Sequence, residues 1–345
     1  MSIIPKRLSL MMQNSWFAAR SIFDLLRHNK LLWTLHIVQR KIPYRLQAFR
    51  AGIHSHKSNP TNYFILRRNI HRIEKGIANT TRHEVFAEKY ILQTTKALKQ
   101  LCMKKGEQDI SCQWGLAVLQ EYFRVCKHTS KVQEAENLFS SITIEPENKF
   151  QLYNASERPP LTVEYDALHA LAQRRRSVRK FLSTPVPFKE VQKAMKIAAL
   201  SPSACNRQPF SFLYFDDPDL SKQIAQIAGG AQLQESNLPG IIVVVCQYRA
   251  FSEEYDMETP VIDSSLATMS FLLALETIGI SSICINWPQL PHNEQRIRSI
   301  ITLEPDECIT LLIGIGYPHP DARILSSYKR EVADLVYLNH YQSKI

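Results

Sequence analysis

The chain has 345 residues, 45% of them hydrophobic and 21% charged, and 42 Lys+Arg against 32 Asp+Glu give it a net charge of +10. That length has room for two domains, and so much apolar material excludes disorder over the whole chain. Ten glycines are too few for Gly-rich phosphate loops to organise the chain. The seven cysteines (Cys102, Cys112, Cys126, Cys205, Cys246, Cys284, Cys308), odd in number and without a CxxC pair, predict a reducing, cytoplasmic setting rather than a disulfide scaffold or zinc ribbon. The charge is divided unevenly: residues 1–110 hold 20 Lys+Arg and 6 Asp+Glu, whereas residues 111–150 carry −1 and residues 151–345 carry −3. The pattern is a basic module over 1–155 joined to a nearly neutral domain over 160–340.

In the module, apolar Trp16, Phe17, Ile22, Phe23, Leu25, Leu26, Leu31, Leu32, Leu35 and Ile37 recur at helical spacing between cations, predicting an amphipathic helix over about 11–46. Arg20, Arg27, Lys30, Arg40 and Lys41 interrupt it too often for a membrane span. Such a helix either packs its apolar face on the rest of the protein or, through residues 1–50, lies on a membrane surface (the inner face, peripherally) or docks on a protein partner. Gly52, Ser55, Ser58, Asn59 and Pro60 read as a loop, followed by a helix over about 62–76 that contains HRIEKG. On that helix His71, Glu74 and Lys75 share a face, either to turn His71 or a basic pair toward an anion or as a salt-bridged surface. Helices follow near 84–104 and 112–127, and the acidic stretch from Ser130 to Pro160 reads as the end of the module, with Ser156, Pro159 and Pro160 as linker. Nucleic-acid motifs are absent, so no nucleic-acid partner is expected.

After Leu161 helices and strands alternate: helices at 164–174, 188–200 and Asp263–Ile278, strands at Phe210–Phe215, Ile241–Cys246, Ile280–Trp287 and Thr310–Tyr317. This predicts an α+β domain with a mixed central sheet flanked by helices. Arg175, Arg176, Ser177 and Arg179 put forked donors and a hydroxyl within five residues, a composition suited to a phosphate and a sugar alcohol, or else a solvated basic turn. Pro202, Ser203, Asn206 and Gln208 put a hydroxyl and amides in a proline-bounded loop able to read a heteroaromatic edge, and Lys329 and Arg330 add late basic charge.

Four motifs in order, RRSVRKF, SPSACNRQPF, DSSLATMSFLLALETIGISS and LIGIGYP followed by the basic pair before ADLVYLN, resemble the nitroreductase family of FMN-dependent oxidoreductases over about Tyr165 to Asn339. The resemblance implies FMN as cofactor, NAD(P)H as electron donor, a homodimer and ping-pong reduction of a small organic acceptor such as a nitro compound or quinone. It implies that Arg175 and Ser177 hold the phosphate and ribityl chain with Arg176 between them, and that Arg179 sits by the pyrimidine end. It further implies that Pro202, Ser203 and Asn206 reach the flavin of the partner subunit, that Gln208 binds the cofactor, and that Lys329 or Arg330 touches the phosphate. Ile285 and Asn286 stand where the family's backbone faces the flavin, and bulky Trp287 replaces a common Gly, placing it on the substrate face. Gln232 or Gln234 would meet the pyrimidine. No catalytic side chain and no metal are expected, since the cofactor carries the chemistry; Cys205 reads as a small buried thiol. The alternative is a flavin-fold scaffold or pathway enzyme attached through its basic extension to a membrane surface or biosynthetic complex. The HRIEKG stretch is similar to extensions on nitroreductase-like proteins of surface-polysaccharide pathways.

Overall fold

The structure is a computed structural model, described here for residues 42–59, 62–145, 152–229 and 238–339. Most of the expected 11–46 helix, Gln232 and Gln234 lie outside the described residues. Helix α1 (Ile42–Ser58) occupies the expected loop at 50–60 as far as Ser58. The cause is Gly52: a Cβ there would stand 2.6 Å from the backbone carbon of Tyr248, so its missing side chain serves a close helix approach rather than a turn. Ala48 and Phe49 of α1 pack with Cys246, Tyr248 and Cys308 of the C-terminal half, and Arg45 pairs with Glu258 at 3.3 Å.

Helices α2 (Tyr63–Ala78), α3 (Ile91–Lys105), α4 (Ile110–Val125) and α5 (Ser130–Phe139) form a separate apolar core around Ile70, Ile73, Leu98, Leu116, Leu119 and Tyr122. The stretch from Ser130 is thus a helix first and a connector only afterwards. Thr129 caps it by accepting a hydrogen bond from the Val132 N–H, and Val132 and Ala135 bury its apolar side. Cys102 and Cys112 join in a disulfide with their Cα atoms 5.5 Å apart, correcting the expectation of unpaired cysteines; Cys126, Cys205, Cys246, Cys284 and Cys308 are free.

The remaining elements are α6 (Tyr165–Arg174), α7 (Phe188–Ala198), β1 (Phe210–Phe215), α8 (Pro218–Ile227), β2 (Gly240–Gln247), α9 (Thr259–Thr277), β3 (Ser281–Asn286), α10 (Pro291–Arg298) and β4 (Glu307–Gly316). The four strands lie in the order β1-β2-β4-β3 with antiparallel ladders, and a parallel bridge joins Ser177 to Ser282 at the edge. Alternation along β2 decides the layers, because successive side chains of a strand face opposite sides. Ile242 and Val244 face α7 and α9 through Ala194, Phe271 and Leu275, while Ile241, Val243 and Val245 face α8 and α10 through Ile224 and Ile297. The result is the expected α+β domain with helices on both faces of the sheet. Helix α6 buries none of its residues, and the segment after β4 leaves Tyr328 96% and Leu338 83% exposed. Among the described residues no helix is long and apolar enough to cross a membrane.

Candidate functional site

The arginine-rich turn leaves α6 and is pinned along the sheet edge. Val178 N–H donates to the Ser282 carbonyl at 3.1 Å, Leu182 N–H to Tyr317 and His319 N–H to Lys180. Arg174 pairs with buried Glu276 at 3.0 Å, which fixes the start of the turn against the end of α9. Beyond it the half-buried Arg175, Arg176 and Arg179 form no ion pair among the described residues. Among the described residues Arg176 and Arg179 donate only to the Arg175 and Ser177 carbonyls, and the Ser177 hydroxyl has no hydrogen-bond partner. Three guanidiniums without an ion pair and a hydroxyl without a hydrogen bond among the described residues are a donor set that fits a phosphate and its polyol tail, although Arg175 also acts on the Glu276 carboxylate from a longer range.

Strand β3 forms the neighbouring wall. Its Ile283 and Ile285 are buried, so Cys284 and Asn286 look out on the opposite face, and Ile285 has only backbone to offer there. Trp287 is in the core: it is 4% exposed and donates from Nε1 to Glu294 Oε1 at 2.7 Å. It therefore does not cover a substrate face, because its indole N–H finds its partner inside the domain. Lys329 and Arg330 lie on the exposed C-terminal segment, where Arg330 donates to the Asp334 carbonyl and neither is hydrogen-bonded to the arginine turn.

The Pro202–Gln208 loop is built at the other end of α9. Both carboxylate oxygens of Asp263 accept from the Ala204 N–H, at 3.2 and 3.0 Å, and Gln208 N–H donates to Ser203 Oγ at 2.9 Å. Cys205, Asn206 and Gln208 all have positive φ, a conformation that such residues hold only when their surroundings impose it. Burial raises the Asp263 carboxyl to about 6, against the lowering influence of the Ala204 N–H and Arg207. Asp263 and Glu276 are thirteen positions apart on one helix, so the loop and the arginine turn are anchored about 20 Å from each other within a protomer. A single chain does not bring the two halves of the expected site together.

Arg67 had no place in the sequence-based site. Although it looks like one of a run of surface cations, it is 7% exposed and reaches from α2 into this loop, donating to the Asn206 carbonyl at 2.8 Å and Gln208 Oε1 at 3.1 Å. It also donates to Tyr63 and Ser111 and lies over the Trp114 ring at 5.0 Å. Trp114 Nε1 donates to Glu74, whose other oxygen meets His71 Nδ1 at 3.0 Å. The HRIEKG face is therefore a structural network behind the loop. The available signal was position: Arg67 falls between Phe64 and Ile70 at three-residue intervals, on the apolar face of α2.

Residues 172–241 and 236–317 match the profile of the nitroreductase family. The chain is 25% identical to an NADH dehydrogenase of Thermus thermophilus over 179 residues, covering 43% of this chain and 84% of that one. It is 22% identical to an iodotyrosine deiodinase of Nematostella vectensis over 195 residues, covering 48% of this chain and 72% of that protein. Among solved structures, an FMN-dependent nitroreductase of Clostridium difficile aligns with 20% identity and a TM-score of 0.43, over 50% of this chain and 98% of that one. The C-terminal half of the chain thus carries an oxidoreductase domain. Its matched stretch, residues 172–317, resembles the nitroreductase family, and the helical region before it lies outside the match.

Proposed function

We propose that the chain is an FMN-dependent oxidoreductase that takes electrons from NAD(P)H and reduces a small organic acceptor such as a nitro compound or quinone. The observation that carries this reading is the unpaired set of Arg175, Arg176, Ser177 and Arg179 beside the outward face of Cys284 and Asn286. FMN, when bound, supplies the two-electron chemistry, accepting from the nicotinamide and passing on to the acceptor in a ping-pong order. Arg175 and Ser177 hold its phosphate and ribityl chain. Arg179 places a fixed positive charge toward the pyrimidine end, where the reduced ring gathers negative charge.

The roughly 20 Å between loop and turn in one protomer calls for a homodimer, in which Pro202, Ser203, Asn206 and Gln208 of one chain complete the site of the other. Helix α6 without a buried residue, and exposed Ile262, Leu266 and Met269 on α9, supply apolar surface for that interface. Fluorescence titration of the full chain with FMN tests the reading. Arg175→Gln and Ser177→Ala should each weaken binding at least about tenfold while leaving the melting temperature of the flavin-free protein unchanged. Undiminished FMN affinity in both variants would overturn the assignment.

A further inference from the structure

A second cluster of cations stands where α2 meets the loop. Arg207 lies between Asn206 and Gln208, both bonded by Arg67, and is thereby held against α2. It is 7% exposed, its guanidinium rests 4.3 Å over the Phe251 ring, and its Nε has no hydrogen-bond partner. Phe251 packs with Phe64, and Arg68 and Arg72 follow Phe64 at four-residue steps on the same face of α2. Arg68 donates only to Asn69 Oδ1, and Arg72 lies over the Tyr90 ring at 4.9 Å. Among the described residues none of the three forms an ion pair. Asp263 and Asp256 are near enough to influence Arg207 without pairing with it, and Cys205, Tyr90 and Tyr255 complete the surroundings.

We propose that Arg68, Arg72 and Arg207 form an oxyanion-binding site, distinct from the Arg175–Arg179 turn, that takes the phosphate group of a small molecule at the junction of the helical region and the oxidoreductase domain. Buried cations are ordinarily paired, because leaving a guanidinium unpaired away from water is costly. Here buried Arg207 stands with half-buried Arg68 and exposed Arg72, and among the described residues none of the three is ion-paired, Asp256 and Asp263 acting on Arg207 only from a longer range. A phosphate offers oxygens to several forked donors at once, which a single carboxylate does less well. The positive potential extends to its neighbours: burial lowers His56, and Arg68 and Arg207 lower it further, while Arg68 is itself lowered by burial and by the nearness of Arg207 and Arg72. The site is built from residues of both regions, so a ligand here ties the helical region to the loop.

The test is calorimetric titration of the full-length, FMN-supplemented protein with inorganic phosphate. One site per chain is expected, with affinity reduced at least about tenfold in Arg72→Gln and Arg207→Met but kept in Arg175→Gln. Arg207→Met should melt no lower than the parent without phosphate, since it removes an unpaired buried charge, and should lose the rise in melting temperature that phosphate gives the parent. Arg72 is exposed, so its variant remains informative if the Arg207 variant does not fold. Absence of phosphate binding in the parent overturns the proposal. So does loss in Arg175→Gln with retention in Arg72→Gln and Arg207→Met, or an Arg207 variant that weakens FMN instead of phosphate. A protein that takes no FMN can be titrated in the same way, so the two readings fail separately.

Discussion

Replacing Arg67 by Met removes the strongest polar tie between the helical region and the loop at Ser203–Gln208. The side chain makes four hydrogen bonds, of which those to the Asn206 carbonyl and Gln208 Oε1 cross between the two parts, and it lies over Trp114. A hydrogen bond to a charged group contributes about 1.5 kcal/mol at the low end, so the two crossing bonds alone amount to about 3 kcal/mol. For a chain of this size that corresponds to a fall in melting temperature of about 5 °C. Arg67→Lys keeps the charge but not the fork, and should fall between parent and Met variant. Calorimetric melting should be combined with hydrogen exchange at Asn206 and Gln208, whose amides donate to the Ser203 carbonyl and hydroxyl. Those amides should lose protection in the Met variant while β2 keeps its own. A melting temperature within about 1 °C of the parent and unchanged exchange in the loop would refute the reasoning.

Gly52→Ala should cost about 1–3 kcal/mol, because the new methyl would sit 2.6 Å from the Tyr248 backbone carbon and 2.9 Å from Arg249 N; a melting temperature equal to the parent's would contradict that close approach. Asp263→Asn should change the pH dependence of stability. The folded-state pKa of Asp263 is raised from 3.8 to about 6, so its contribution is fully present below about 3.8 and is lost as pH rises through about 6. The melting temperature of the parent relative to the Asn variant should therefore fall between pH 4 and 7, and a flat or rising difference would show that burial is not what shifts this group.

The oxidoreductase domain was legible because its strongest signals are local. The β-branched run Ile241–Val245 specifies a strand buried on both sides, and Gly279, with φ of 77°, follows the end of α9. The loop chemistry was visible in Pro202–Gln208, but what imposes its positive-φ backbone was not. Those supports, Asp263 and Arg67, lie 59 residues after Ala204 and 139 before Asn206, and separations of that kind leave no periodicity to read. Gly52 and the stretch from Ser130 misled for opposite reasons. A glycine that normally marks a turn served a helix contact, and a polar segment with few apolar residues still formed a helix because Thr129 caps it and Val132 and Ala135 find a core. Trp287 reads as bulk at an open face only when its partner Glu294, seven residues on, is left out. The pairing of Cys102 with Cys112 depends on the packing of α3 against α4, which no motif announces.

The central claim is that the unpaired arginine turn holds a flavin which NAD(P)H can reduce. Visible spectroscopy of the purified full chain, supplemented with FMN, freed of excess and kept under anaerobic conditions, tests it most directly. The expected result is stoichiometric flavin that bleaches on adding NADH or NADPH and recovers its colour when an electron acceptor is supplied. A protein that remains colourless after reconstitution, or whose bound flavin neither donor bleaches, would contradict it.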